Sequence, residues 1–431
     1  MNLTVRAHAG RFAALCALVL ACGNGTTGPA PVVVPPEIPI TGQAVAGMES
    51  FDRIIRDLMR QHGIPGGAVA VVREGRLIYA RGYGYADVEA KDTVQPDALF
   101  RIASVSKPIT AVAILQLVEA GRIQLDDLIA PLIADIAPPP NATVDPRWDR
   151  ITVRHLLQHL GGWDRAVSFD PMFRPQMAAT AVGATAPASA ETVIRYMKGM
   201  PLDFEPGSRY AYSNFGYAIL GRIIERVSGQ PYDQYVRTAV LAPAGVQRMR
   251  IGRTRLSERA AGEVKYYYPN QPLTYPMVQS VFTGEGLVPN NYGGFYLEAM
   301  AAHGGWIAST VDLLRFVTVV DGRPHRADLL NAQSVATMVA NGPALCENAA
   351  CWYALGWQVR PSGGDANWWH SGSLPGTTSI IVRSYHNFAW AALFNARTDD
   401  GRFGNQLDAA IWQALGQSTT FPAHDLFSQF Q

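Results

Sequence analysis

Ile109 to Val118 is apolar on nearly every side, and it follows directly on Ser104-Val105-Ser106-Lys107. A helix without a polar face has to be buried, so the rest of the chain must fold around this segment. Pro108 is tolerated in the first helical turn, and Gly121 suits the end of the helix. Positions i and i+3 share a helical face, which puts the Ser104 hydroxyl beside the Lys107 amine. A serine hydroxyl is a weak nucleophile at neutral pH and needs a neighbouring base. A lysine that has lost its hydration in an apolar interior loses its proton too, and can then take the proton of the serine. The unpaired N–H groups and positive dipole end of a helix start favour any oxyanion that develops there. By themselves the four residues also fit an N-cap serine followed by a solvated lysine.

The amino-terminal residues read as an export signal, with Arg6 and Arg11 as a positive region and Phe12 to Ala21 as an apolar core too short to span a bilayer. The run ends in Val19-Leu20-Ala21-Cys22-Gly23, similar to the lipobox of bacterial lipoproteins, with Cys22 as the residue to be lipidated. An ordinary cleaved signal with an incidental cysteine is the alternative. Residues 1–22 are thus expected to be a signal peptide and 23–45 a flexible Gly/Thr/Pro linker. The globular part is expected over 46–418. An apolar content of 48% with a formal charge of +1 is ordinary for a globular chain, and the absence of a basic block excludes nucleic acid as a partner. The expected location is the periplasm or cell envelope, with membrane contact only through the lipid anchor. Cys346 and Cys351 lie outside the signal region and, in an exported protein, read first as a disulfide closing a short loop, ahead of two free thiols.

Phe51, Ile54, Ile55, Leu58 and Met59 recur at helical spacing and stop at Gly63-Ile64-Pro65-Gly66-Gly67. Two β-rich runs, Ala68 to Val72 and Leu77 to Tyr83, flank a hairpin signal at Arg73-Glu74-Gly75-Arg76. Residues 128–294 read as a mainly helical insertion with Pro- and Ala-rich connections and an amphipathic pattern over Ala218 to Val227. Strand-like runs return at Ser379 to Val382 and Ala389 to Phe394, before a helix around Leu407 to Leu415. Strands at both ends with helices between them imply an α/β (α+β) fold in which the inserted helical part divides the sheet-bearing domain.

Two distant segments join the serine and lysine. Tyr212-Ser213-Asn214 follows Phe204-Glu205-Pro206-Gly207, and His370-Ser371-Gly372-Ser373 lies in a Gly-rich stretch between apolar runs. In this order the three motifs resemble the active-site set of the penicillin-binding and serine β-lactamase superfamily, with its class C β-lactamase, D-alanyl carboxypeptidase and family VIII esterase branches. The resemblance runs from about Ser50 to about Leu415. It includes framework strings such as Phe100-Arg101-Ile102-Ala103, Ile151 to Leu157, Gly304-Gly305-Trp306 and Leu355-Gly356-Trp357. It implies an antiparallel sheet flanked by helices and built from both chain ends, with the site in the cleft beside the insertion. It also implies roles. Ser104 attacks the carbonyl, Lys107 holds and deprotonates it, and Tyr212 passes the proton to the leaving group. Asn214 bonds Lys107 or the substrate amide, and the backbone N–H groups of Ser104 and Ser373 form the oxyanion hole. Tyr212 can serve as a base only if cations depress its pKa, and Lys107 and His370 are the candidates.

His370 stands where many relatives carry lysine. A histidine is largely neutral at pH 7, so recognition of a substrate carboxylate by a permanent cation is put in doubt. Esters and D-aminoacyl amides are then expected to be better substrates than β-lactams, with β-lactam turnover improving toward pH 6. Ser371 keeps the hydroxyl, and Gly372 allows close backbone approach. No cofactor or metal is expected: His155 and His159 are four apart but lack the glutamate of zincins and read as packed histidines. Gly82-x-Gly84 reads as a hairpin feature rather than a nucleotide fingerprint. Tyr266-Tyr267-Tyr268, Tyr292 and Phe295-Tyr296 fit equally a cleft lining and a packed interior. The functional expectation is an exported serine hydrolase acting on an amide or ester through an acyl-serine. The alternative is a noncatalytic envelope binding lipoprotein of the same fold.

Overall fold

A two-residue turn at Glu74-Gly75, with φ of 50° and 74°, reverses the chain and starts the sheet on which the site is built. The computed structural model describes residues 37–269, 275–343, 345–346 and 350–430. The expected signal segment, Cys22 and the first part of the linker lie outside the described residues. The central sheet contains β1 (Ile40–Thr41), β2 (Gly66–Arg73), β3 (Arg76–Asp87), β4 (Asp92–Thr93), β5 (Trp352–Tyr353), β6 (Gln358–Ser362), β7 (Asp365–Leu374), β8 (Thr377–Arg383) and β9 (Phe388–Phe394). Its order is β1-β3-β2-β9-β8-β7-β6-β5, with β4 paired to β3, and the pairings are antiparallel. The join between β2 and β9 unites the two ends of the chain.

Both sheet faces are covered, which is why β2 and β8 read as continuous apolar runs rather than as an alternation. Against one face pack α1 (Glu49–His62) and, later in the chain, the helix Arg402–Gln417. Phe51, Ile55, Leu407 and Ile411 meet Val69, Val71, Ile78 and Trp390 there. On the other face Ala68, Ala70, Val72 and Leu393 join the core built around α2 (Ser106–Glu119). Every α2 residue from Ser106 to Leu115 is buried, as a helix without a polar face requires. Between α2 and β5 the chain is mainly helical and includes α3 (Val153–Leu157) and α4 (Asn214–Ser228). A small sheet of Phe100–Arg101, Trp306–Ala308 and Arg250–Ile251 ties this part to the start of α2. Cys346 and Cys351 are bridged, with Cα atoms 5.1 Å apart, just before β5.

Several expectations need correction. The chain joins the fold before residue 46: Ile38 and Val45 are buried, and Ile40–Thr41 pairs with Tyr83 and Gly82. It stays in the fold beyond 418, where Thr419 N–H donates to Gly47 O at 2.9 Å and Leu426 and Phe427 are buried. Gly82 and Gly84 lie inside β3, not at a hairpin. A side chain at 82 would strike the Val94 carbonyl, and one at 84 the Pro65 carbonyl, with φ of 68° at Gly84. Of the tyrosine cluster, Tyr266 and Tyr292 pack around Arg101, whose guanidinium carbon lies 4.4 and 5.4 Å from their ring centroids.

Arg101 is 1% exposed and has no carboxylate on it among the described residues. It donates to the carbonyls of Asn291 (2.6 Å), Arg253 (2.8 Å) and Thr254 (3.3 Å). A hydrocarbon at this position leaves those carbonyls unpaired in the interior, at about 1–3 kcal/mol for each group that water cannot reach. Arg101→Leu is therefore expected to destabilise the fold by roughly 2–4 kcal/mol in urea melts, with Arg101→Lys losing less.

Candidate active site

Ala103 sits in the left-handed region, φ 47°, between the strand Phe100–Arg101 and α2. For a residue with a Cβ this is a strained conformation, held here because Ala103 is buried on both sides. It turns Ser104 out of the strand direction into a short 3-10 turn (Ala103–Val105) that leads into α2, so the hydroxyl opens on the cleft while Lys107 points inward. The spacing of three holds across this junction: Lys107 Nζ lies 3.1 Å from Ser104 Oγ.

Lys107 is fully buried. Its other two polar contacts are Asn214 Oδ1 at 2.8 Å and the His303 carbonyl at 3.0 Å. None of the three partners carries a charge. Burial therefore pushes the amine well below the ordinary lysine range. A neutral amine has two N–H bonds and one lone pair. In that form the two acceptors, one a carbonyl that can only accept, can take both N–H bonds, and the contact to Ser104 Oγ can then run from the hydroxyl to the lone pair. Asn214 is the first residue of α4, whose N-cap Ser213 accepts from Gly216 N–H at 3.2 Å.

Tyr212 Oη donates to Ser104 Oγ at 2.7 Å. The condition for Tyr212 to act as a base, a pKa depressed by cations, is not met: burial outweighs the lowering by Arg165 and pushes the phenol up. Its ring packs 4.4 Å from that of His159, whose Nδ1 accepts from Ser213 N–H at 3.1 Å. His159 and His155 are thus packed and hydrogen-bonded. His155 closes the N-terminus of α3 with Thr152. Among the described residues no group of three or more His, Cys, Asp or Glu is placed to hold a metal.

Strand β7 forms the facing wall. A side chain at Gly372 would sit 2.4 Å from the Ile102 carbonyl and 3.0 Å from Ser104 N, so only glycine lets β7 lie against the nucleophile turn. That contact brings the backbone next to Ser373 alongside Ser104 N, the neighbourhood expected for an oxyanion hole. Ser371 and Ser373 face the cleft, while the His370 ring turns inward and is 1% exposed. Its Nε2 is 2.9 Å from Tyr353 Oη, and its Nδ1 is 2.7 Å from the Ser371 carbonyl. The carbonyl fixes the proton on Nδ1 and leaves Nε2 to accept from the tyrosine. The disulfide sits two residues before Tyr353 and so ties down this support.

The cleft has a volume of about 390 Å³ and is lined by Ser104, Tyr212, Ser373, Arg165 and Arg397 among others. Sequence reasoning missed both arginines. Arg165 lies over the Tyr212 ring at 5.1 Å, and Arg397 Nη1 is 3.3 Å from Ser373 Oγ. The neighbouring carboxylates are engaged elsewhere, Asp164 with Arg209 and Asp400 with Arg402. It also missed Asp170, whose Oδ2 accepts from Asn214 Nδ2 at 2.7 Å, and the His303 carbonyl. Backbone acceptors leave no mark in a sequence. The Asp170-Pro171 pair reads only as a cap.

His370 does not charge near pH 6, because burial lowers its pKa to about 3 from 6.5. Between those values the unfolded chain holds the proton and the folded chain does not, so the contribution of His370 to stability falls as pH falls, by about 1.4 kcal/mol per pH unit. Buried carboxyls such as Asp321, raised to about 6, act in the opposite sense in the same window. The difference between proteins isolates the histidine. From pH 6.5 to 5 the wild type is expected to lose about 2 kcal/mol more stability than His370→Gln in urea melts at each pH.

A family model described as Beta-lactamase matches residues 51–412. Penicillin-binding protein 4* of Bacillus subtilis (strain 168) is 28% identical over 322 residues, covering 74% of this chain and 65% of that protein. Esterase EstB of Burkholderia gladioli is 31% identical over 209 residues, 46% of this chain and 50% of the esterase. The chain thus spans about two thirds and one half of the lengths of these relatives. The crystal structure of D-amino acid amidase from Ochrobactrum anthropi SV3 superposes with a TM-score of 0.65 over 86% of this chain and 98% of the amidase, at 23% identity. The chain belongs to the Beta-lactamase family.

Proposed function

We propose that this chain is an exported hydrolase that cleaves an amide or ester through an acyl-serine on Ser104. The observation that carries the reading is the buried Lys107 amine, whose Nζ lies 3.1 Å from Ser104 Oγ and has only neutral partners in Asn214 Oδ1 and the His303 carbonyl. In its neutral form it donates to those two and turns its lone pair to the Ser104 hydroxyl. In this reading Lys107 takes the serine proton as Oγ attacks the carbonyl carbon. The oxyanion is held by the backbone N–H groups of Ser104 and Ser373. Tyr212, bonded to the same Oγ, stays a neutral phenol and gives its proton to the leaving group as the scissile bond breaks, regaining one from Lys107. Water then enters the cleft and releases the acid. Export and lipidation at Cys22 rest on the sequence pattern of residues 6–23.

The cleft argues for an anionic group on the substrate. Burial disfavours the charged form of His370 at the cleft wall, whereas Arg397 beside Ser373 and Arg165 over the Tyr212 ring provide two permanent cations. These cations favour a carboxylate-bearing substrate, where His370 alone favoured esters and D-aminoacyl amides over β-lactams. Relatives that include a penicillin-binding protein and an esterase bracket the choice.

A fluorophosphonate probe is expected to label the wild type and to leave Ser104→Ala unlabelled. An acyl-D-Ala-D-Ala peptide with a free carboxylate should be cleaved roughly tenfold faster, in kcat/KM, than its C-terminal amide, and Arg397→Ala should abolish that difference. No labelling of the wild type would favour a noncatalytic binding protein. Equal rates on the two peptides would remove the carboxylate assignment.

A further inference from the structure

Asn214 can present either its oxygen or its nitrogen to Lys107, and the two choices have opposite consequences. With Oδ1 toward Nζ, as observed, the amine donates to it and keeps its lone pair free. With the amide flipped, Nδ2 would donate into that lone pair and compete with Ser104 for it. The backbone at Asn214 is held by the Ser213 cap and by His159, so rotation of the amide is the freedom that remains. On the far side of the amide lies Asp170. Its Oδ2 accepts from Nδ2 at 2.7 Å, and its Oδ1 accepts from Met172 N–H at 3.1 Å at the start of the turn Pro171–Phe173. A flip would put Oδ1 against this carboxylate, so both ends of the amide would then meet the wrong partner.

We propose that Asp170 is a positioning residue of the serine–lysine centre, whose carboxylate locks the Asn214 amide with its oxygen toward Lys107 and reserves the amine's lone pair for Ser104. The inference rests on the proposed role of Lys107 as base. Asp170 also acts through its charge. The titratable groups around Lys107 are Tyr212 and Tyr217, with ring centroids 4.7 and 5.5 Å from Nζ, the three histidines 159, 303 and 370, Arg165 and Asp170. Burial keeps the tyrosines and histidines neutral. Asp170 is thus the anion that favours the ammonium, set against Arg165, which disfavours it. Burial raises the Asp170 carboxyl above its usual range, opposed by the hydrogen bonds from Asn214 and Met172 that favour its charged form. Removing the anion lets Lys107 lose its proton at lower pH while freeing the amide to turn.

The test is the rate at which the full chain reacts with a fluorophosphonate between pH 5 and 10. In that reaction Ser104 Oγ bonds phosphorus, fluoride leaves and Lys107 takes the proton. Asp170→Asn removes the charge. Asp170→Ser removes it while keeping a hydroxyl to cap Met172, which guards against a folding defect. Both variants are expected to show a limiting rate about tenfold or more below wild type, with the acidic limb of the profile moved to lower pH. Asp170→Glu, which keeps the charge, should keep the limb near its wild-type position. A limb that stays in place in the first two variants, whatever their rate or melting temperature, would show a structural role only and overturn the proposal. A wild type that does not react would instead overturn the lysine-base reading on which it rests.

Discussion

An amine buried without a counter-ion is the interaction on which the rest of this structure depends. Lys107 has three neutral polar partners, drawn from three separate parts of the chain: Ser104 at the head of α2, Asn214 at the head of α4 and the His303 carbonyl just before the strand Trp306–Ala308. Burying an isolated ammonium is so costly that the group gives up its proton instead. The fold makes that outcome possible by enclosing α2 on all sides, and the helix α4 and the segment before Trp306–Ala308 supply two of the three partners. Cavity, helix packing and base are thus one construction.

The same low-dielectric interior decides what the neighbours can do. Tyr212 and His370 are pushed toward their neutral forms, so neither is a charged participant at neutral pH. Permanent positive charge in the lining comes from guanidinium groups at the rim of the cleft, Arg165 and Arg397, where water still reaches. A site built in this way separates its labours: neutral donors and acceptors around the reacting oxygen, cations farther out for recognition and attraction.

Much of this was legible in the sequence, for identifiable reasons. An apolar run with no polar face fixed α2 as buried, and the spacing of three put Ser104 and Lys107 together even though the helix begins only at Ser106. The Arg73 to Arg76 turn and the flanking β-rich runs marked β2 and β3. What escaped was whatever depends on tertiary surroundings. Burial, not residue type, sets the charge of Tyr212 and His370. Asp170 works through its approach to Asn214, and His303 through its carbonyl. The residues before 46 read as a tether because they are rich in Gly, Thr and Pro with almost no charge, and those after 418 because they follow the last helical pattern. Residues 37–45 and 419–430 are held instead by the edge pairing of β1 and by contacts between the tail and Gly47.

The central claim is that Lys107 is a neutral amine at neutral pH, and it can be measured directly. The chain has only four lysines, 91, 107, 198 and 265. With lysine labelled by carbon-13 at the ε position, each therefore gives a separable NMR signal, and Lys107→Arg identifies the one of interest. The account predicts that this signal titrates well below the ordinary lysine value of about 10.4. A Lys107 signal that stays in its ammonium form up to pH 10 in the folded wild type would contradict it.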